Sequence, residues 1–204
     1  RLNPALRTVA IETHGCKLNQ ADSDSLARQF QEAGFRLVGA EDGPDVYVLN
    51  SCTVTHVADA KARRGLRAAR RSNPLATVVA TGCYAQRSPA EVSAVSGVDL
   101  VVGNFDKDTL VQQLLQTRGG VTRTINPPSP PVPLSGSLRR TRAMVKIQEG
   151  CNQICAYCIV PKVRGRERST PPDLLVEQIN QRTADGCLEV VLTGTQLGTY
   201  GFDL

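Results

Sequence analysis

The feature that most constrains this chain is an alternation. Short β-branched runs take turns with longer stretches of helical periodicity along the first 118 residues. Residues 7–12, 45–49, 76–80 and 98–102 read as strands. Between and after them, residues 20–33 carry Leu26, Phe30 and Ala33 at helical spacing with Gly34 as a stop, and residues 56–71 read as a second helix. Ser88 and Pro89 are suited to start a third helix, and residues 106–118 read as a fourth. Strands that alternate with helices in this way predict an α/β fold: an open parallel sheet with helices packed on its faces.

Residues 119–138 break the pattern. They open on Gly119-Gly120 and contain Asn126-Pro-Pro-Ser-Pro-Pro-Val-Pro133, a composition that favours an extended, semi-rigid connector. The expected organisation is therefore a domain over 1–118, a linker over 119–138 and a second unit over 139–204. That second unit starts with a strand at 142–147. A cysteine-rich loop follows, then a helix opened by Thr170-Pro-Pro-Asp173 and a strand at 188–193, which together make one βαβ unit.

Seven cysteines are too few for a disulfide scaffold, and their odd number spoils a fully paired one. No apolar run approaches the ~18 residues of a membrane helix, and Arg1 to Val9 lack the apolar stretch of a secretory signal. The expectation is a cytoplasmic protein without membrane contact, in a compartment where clustered thiols bind metal or do redox chemistry.

Cys151-Asn-Gln-Ile-Cys155-Ala-Tyr-Cys158 has the spacing Cys-x3-Cys-x2-Cys. Three thiolates on one short loop can ligate three irons of a cubane and leave the fourth open to a chelating ligand such as S-adenosylmethionine (SAM). A structural zinc site would want a fourth protein ligand from a second short motif. Neither His14 nor His56 lies in this unit, and Cys187, at the start of a strand, reads as a buried small apolar residue. Cys16, Cys52 and Cys83 are separated by 36 and 31 residues, yet each falls just beyond the carboxyl end of an expected strand. In an open parallel sheet those ends converge on one edge, and Gly15 and Gly82 let the backbone approach an inorganic body closely. Three independent buried cysteines remain the other reading of this trio.

Net charge is +5, and it is unevenly spread. Lys61, Arg63, Arg64, Arg67, Arg70, Arg71 and Arg87 share a stretch from Ala60 to Ala90 without an acidic residue, and a second basic zone runs from Arg139 to Arg168. Such zones suit phosphate backbones through charge neutralisation and counterion release. A solvated basic helix face is the alternative.

Four blocks of this sequence resemble the radical SAM methylthiotransferase family. They are Thr13-His-Gly-Cys16-Lys-Leu-Asn19-Gln-Ala-Asp22; Asn50-Ser-Cys52-Thr-Val-Thr55 with Ala58, Lys61 and Arg63; Thr81-Gly-Cys83-Tyr-Ala-Gln86; and Lys146-Ile-Gln-Glu-Gly-Cys151 through Pro161, with Arg164-Gly165 and Arg168-Ser169. The resemblance implies an auxiliary [4Fe–4S] cluster on Cys16, Cys52 and Cys83. It implies a second [4Fe–4S] cluster on Cys151, Cys155 and Cys158, at the start of a radical SAM partial (β/α) barrel. Tyr157 matches a position that lies against the SAM adenine in relatives, and Gly194, Thr195 and Gln196 fall where the second barrel strand ends, as candidate SAM contacts. The resemblance reaches about two barrel strands, so this chain is expected to be the N-terminal part of a longer enzyme.

By the same resemblance, Thr193-Gly-Thr-Gln-Leu-Gly-Thr-Tyr-Gly201 is most similar to the branch acting on N6-threonylcarbamoyladenosine next to the anticodon of tRNA. The other branches act on isopentenyladenosine in tRNA or on a ribosomal protein aspartate. The implied chemistry is one-electron cleavage of SAM to methionine and a 5′-deoxyadenosyl radical, hydrogen removal from C2 of the modified adenine, and delivery of sulfur to that carbon. The methyl group comes from a separate SAM. The implied partners are tRNA, on the segments Lys61–Arg71 and Arg139–Arg168, and a reductant protein. Two classes stand apart from this reading: a non-catalytic iron–sulfur electron-transfer protein, and an RNA-binding module with structural zinc.

Overall fold

The computed structural model describes residues 7–117 and 141–204. The expected linker, 119–138, and Arg139 lie outside the described residues. In the first unit, β1 (Thr8–Thr13), α1 (Lys17–Glu32), β2 (Arg36–Leu37), β3 (Val46–Ser51), α2 (His56–Ser72), β4 (Thr77–Gly82), α3 (Cys83–Arg87), α4 (Pro89–Ser93), β5 (Leu100–Val102) and α5 (Leu110–Thr117) follow one another. The five strands form one parallel sheet in the order β2-β1-β3-β4-β5.

The central strand explains the layering. Every residue of β3 is buried, as a strand covered on both faces requires. Its side chains alternate between two cores. Val46 and Val48 join Val9, Leu26, Phe30, Val79 and Leu114 on the α1 and α5 side. Tyr47 and Leu49 join Ala62, Leu66, Val78, Tyr84 and Val92 on the α2 and α4 side. Each fully buried Leu or Phe contributes about 1.5–3 kcal/mol, so these two layers carry most of the unit's stability.

Local chemistry sets the helix ends. Thr55 caps α2 by accepting from the Ala58 N–H at 3.1 Å, and Arg70 and Arg71 sit in its last turn, where cations suit the helix dipole. Helix α1 begins three residues earlier than the expected residue 20, so Cys16 becomes its N-cap residue. The helix expected from Ser88 and Pro89 is only the short α4; the chain is already helical from Cys83 in α3. The strand β2 was not evident in the sequence, because two residues give no alternation to read.

The second unit contains β6 (Arg142–Lys146), β7 (Gln148–Glu149), α6 (Val160–Arg164), β8 (Arg168–Ser169), α7 (Pro172–Ala184) and β9 (Glu189–Thr193). Strands β6 and β9 pair in parallel with α7 as their crossover, which is the expected βαβ unit. The short β7 and β8 pair antiparallel and close the cysteine loop between them. Val145, Ile147 and Leu175 form a small core with Ile179, Val190 and Tyr200. The two units pack together: α1 lies against β6 and β9, and α3 against α6. Among the described residues no helix is long and apolar enough to cross a membrane.

Candidate cluster-binding site

The parallel register sets the first three cysteines level. Thr13 pairs with Asn50, and Ser51 with Gly82, so β1, β3 and β4 end together. Cys16 follows β1 by three residues, while Cys52 and Cys83 directly follow β3 and β4. A Cβ placed on Gly15 would come within 2.8 Å of the Cys52 Cβ, which shows how closely the first and second loops approach. Gly82 has φ +98°, and a Cβ there would meet the Ser51 carbonyl oxygen at 2.3 Å. Only glycine permits that turn into Cys83.

Burial pushes the Cys52 thiol up from its ordinary value; the Val54 N–H, which donates to Cys52 Sγ at 3.5 Å, opposes this, and Cys83 and Cys16 add to the rise. Asn104 Nδ2 lies 3.4 Å from Cys83 Sγ. All three cysteines are free thiols, with Cys16 exposed and Cys83 buried. Among the described residues no group of three or more His, Cys, Asp or Glu is set to hold a metal ion. A single tetrahedral ion needs its sulfurs ~2.3 Å from one point. A four-iron cluster is a larger body that spreads its thiolate ligands around it. Three thiols on three adjacent loops beside glycine backbone are a donor set that fits such a cation-rich body.

Cys151, Cys155 and Cys158 share the loop between β7 and α6, and all three are half-buried. The loop is turned by its own backbone: Cys158 N–H donates to the Cys155 carbonyl at 3.1 Å, Cys151 N–H to the Gly165 carbonyl at 3.1 Å, and Gln153 N–H to Cys151 Sγ at 3.4 Å. Tyr157 is 92% exposed, so its ring stands open beside the loop. Cys187 is half-buried in the turn between α7 and β9, not buried as its sequence position suggests.

Gly194, Thr195 and Gln196 follow β9 on the same side as the cysteine loop. The fully buried Gln148 ties the two together. Its Oε1 accepts from the Thr195 and Gln196 N–H groups at 2.8 and 2.9 Å, and its Nε2 donates to the Gly150 carbonyl at 2.9 Å. These two amides are therefore engaged with Gln148, which leaves the Thr195 hydroxyl as the buried polar atom without a partner there.

Sequence reasoning missed the charged cluster between the units. Asp22 is 2% exposed and receives Lys107 Nζ at 2.9 Å, Lys146 Nζ at 2.7 Å and Arg164 Nη1 at 3.2 Å. Glu149 accepts from Lys146 at 2.9 Å and from Arg164 at 2.7 Å. Burial alone would raise the Asp22 carboxyl, but the three cations overcome it and hold it well below the usual carboxylate range. Burial pushes the Lys107 ammonium down, against the pull of Asp22. The signal was present in the quoted blocks, since Asp22, Lys146, Glu149 and Arg164 all belong to them. Nothing local shows that they meet.

The basic zone divides in two. Arg63 and Arg87 flank the buried Tyr84 ring at 5.8 and 5.5 Å; Arg63 also donates to Glu91 at 2.7 Å and Arg87 to Asp59 at 2.9 Å. Arg70 is bound to Asp99 and to the Gly97, Pro74 and Ala76 carbonyls. Those three are structural. Lys61, Arg64, Arg67 and Arg71 are exposed, three or four residues apart on one face of α2. Among the described residues of the second zone, Lys146 and Arg164 are committed to the inter-unit cluster and Arg142 to Glu189 at 2.8 Å; Lys162 and Arg166 are exposed, as is Arg168, which lies 3.7 Å from Glu149.

Residues 8–103 match the uncharacterized protein family UPF0004. Over 98% of its length the chain is 41% identical to a threonylcarbamoyladenosine tRNA methylthiotransferase, MtaB, of Bacillus subtilis, covering 46% of that protein. It is 42% identical over 96% of its length to the MtaB of Aquifex aeolicus, covering 49% of it. It is also 32% identical to a tRNA-2-methylthio-N(6)-dimethylallyladenosine synthase of Moorella thermoacetica, over 98% of this chain and 48% of that one. The chain thus spans about half the length of these curated relatives. Residues 8–103 carry the UPF0004 domain, and the chain as a whole is a homologue of the tRNA methylthiotransferases along that half of their length.

Proposed function

We propose that this chain is the cluster-bearing portion of a radical SAM methylthiotransferase that adds a methylthio group to C2 of N6-threonylcarbamoyladenosine in tRNA. The observation that supports the reading is the placement of Cys16, Cys52 and Cys83 just beyond the ends of three adjacent parallel strands, with the Cys151–Cys158 loop held against the same domain through α6. Cys16, Cys52 and Cys83 would hold one [4Fe–4S] cluster, and Cys151, Cys155 and Cys158 the other. Bound there, the clusters would supply the electron that cleaves SAM and the sulfur that reaches carbon.

The chain's own work is placement. Gln148 fixes the loop of Gly194, Thr195 and Gln196 against the first turn of the cysteine loop, where that loop is suited to meet SAM, and Tyr157 offers an aromatic face for the adenine. The exposed stripe Lys61, Arg64, Arg67 and Arg71 gives tRNA a phosphate track, which positions the backbone without reading sequence. A cytoplasmic reductant protein would deliver the electrons.

The threonylcarbamoyl branch is favoured because the relatives so named are 41% and 42% identical to this chain, against 32% for the dimethylallyladenosine synthase. Dimethylallyladenosine is the second reading. Two variants of the anaerobically reconstituted protein test the assignment. Cys155→Ala is expected to abolish SAM cleavage. Cys52→Ala is expected to leave uncoupled cleavage and stop thiolation. Thiolated tRNA from Cys52→Ala would refute the role given to the first three cysteines, and preference for tRNA bearing an isopentenyl group would move the substrate to the second reading.

A further inference from the structure

We infer that the three residues Val163, Arg164 and Gly165 are the link that sets the two cysteine sites at a fixed separation, with Arg164 as its positioning residue. The inference rests on the two-site reading above.

The segment touches both sites through consecutive residues. On one side, the Gly165 carbonyl accepts from the Cys151 N–H at 3.1 Å, which anchors the start of the Cys151–Cys158 loop. On the other side, the Val163 carbonyl accepts from Asn104 Nδ2 at 2.8 Å, and the same nitrogen lies 3.4 Å from Cys83 Sγ. Between them, Arg164 donates from Nη2 to Asn19 Oδ1. Asn19 in turn lies 3.9 Å from Cys16 Sγ through that oxygen and donates to the His14 carbonyl at 2.9 Å. Two of the three sheet-edge cysteines are therefore one residue away from a segment whose other end holds the second cysteine loop.

Arg164 is built to be rigid. It is 3% exposed, and its planar fork is fixed by Asp22 at 3.2 Å and Glu149 at 2.7 Å in addition to Asn19. Asp22 and Asn19 lie one turn apart on α1, while Glu149 comes from the second unit. A lysine keeps the charge but cannot span three acceptors in this fixed geometry. Buried, the guanidinium is held charged despite desolvation by the carboxylates of Asp22 and Glu149, one from each unit. Gly165, at φ +77°, lets the chain turn sharply here, with Phe105 against it. Hydrogen removal at one site and sulfur delivery from the other must reach the same carbon and tolerate little misplacement, so a short, buried, doubly anchored link has a clear purpose.

Two variants test the link in metal-free protein by hydrogen exchange, so the result stands whether or not clusters are present. Arg164→Lys is expected to speed exchange about tenfold in both residues 14–19 and 151–159. Asn104→Ala is expected to do the same in both 83–87 and 151–159. Protection of β3 is expected to stay as in the wild type. Change confined to one loop of a pair, or no change, would overturn the link. Loss of protection throughout the chain in both variants would overturn it too, because it would make these residues part of the general core. In reconstituted protein with iron equal to wild type, Arg164→Lys is expected to raise SAM cleaved per thiolated tRNA about tenfold; an unchanged ratio would refute the positioning role. Wild-type protein that binds no iron would refute the two-cluster reading and leave the exchange result to decide the link.

Discussion

Removing the Asp22 carboxylate is the sharpest structural perturbation available in this chain. Asp22→Asn keeps the shape but takes away the anion that faces Lys107, Lys146 and Arg164. Glu149 alone then serves Lys146 and Arg164, and Lys107 keeps only Asn50 Oδ1 at 3.3 Å. Breaking a buried pair by deleting one partner costs about 3–5 kcal/mol, because it strands the other charge. Glu149 limits that cost, because it still faces Lys146 and Arg164 and leaves only Lys107 without an anion. The expected loss at neutral pH is therefore near ~3 kcal/mol. With a urea slope of about 2 kcal/mol per molar, the midpoint of metal-free protein should fall by roughly 1.5 M. The pH dependence gives an independent check. The folded carboxyl of Asp22 is held below its unfolded value of about 3.9. Its contribution is therefore present above about pH 4 and is lost as pH falls from there toward the folded value. The gap between wild type and Asp22→Asn should be constant from about pH 5 to 8 and narrow below pH 4. A midpoint shift under about 0.3 M, or a gap that widens in acid, would refute the reasoning.

Gly82→Ala should destabilise the protein by about 2–3 kcal/mol in denaturant titration, since it forces φ +98° on an L-residue with its Cβ 2.3 Å from the Ser51 carbonyl oxygen. Replacing Lys61, Arg64, Arg67 and Arg71 together by Ser should cost no more than about 0.5 kcal/mol of stability per residue, as for exposed sites, and make the log–log salt slope of tRNA binding shallower by about 3–4, provided each meets one phosphate. Arg70→Ser should behave in the opposite way, lowering the thermal midpoint by several degrees with little change in the salt slope, because its guanidinium is tied to Asp99 and three carbonyls. Gln148→Leu should loosen the loop of Thr195 and Gln196, seen as about tenfold faster amide exchange at those two residues, because it removes the acceptor both N–H groups share.

Much of the fold was legible because its signals are local. Alternating β-branched runs marked β1, β3, β4 and β5, and the expected strand ends put Cys16, Cys52 and Cys83 along one edge of the sheet, since parallel strands carry their carboxyl ends to one side. Helix ends were less legible. The helix at Cys83 follows a glycine turn whose need arises from the neighbouring Ser51 backbone, which no stretch around residue 83 reveals. The division of the basic residues was hidden for a similar reason. Arg63, Arg70 and Arg87 look like Arg64 and Arg67 until Tyr84, Glu91, Asp99 and Asp59 are brought beside them by tertiary packing. The inter-unit cluster depends on contacts between Asp22 and residues up to 142 positions away, a separation over which periodicity and spacing say nothing.

The claim that two sets of three cysteines each hold a four-iron cluster is tested most directly by iron and acid-labile sulfide per chain after anaerobic reconstitution. The account expects about eight of each, falling to about four in the Cys52→Ala variant and in the Cys155→Ala variant. Zinc without iron, or a wild-type value that neither variant lowers, would contradict it.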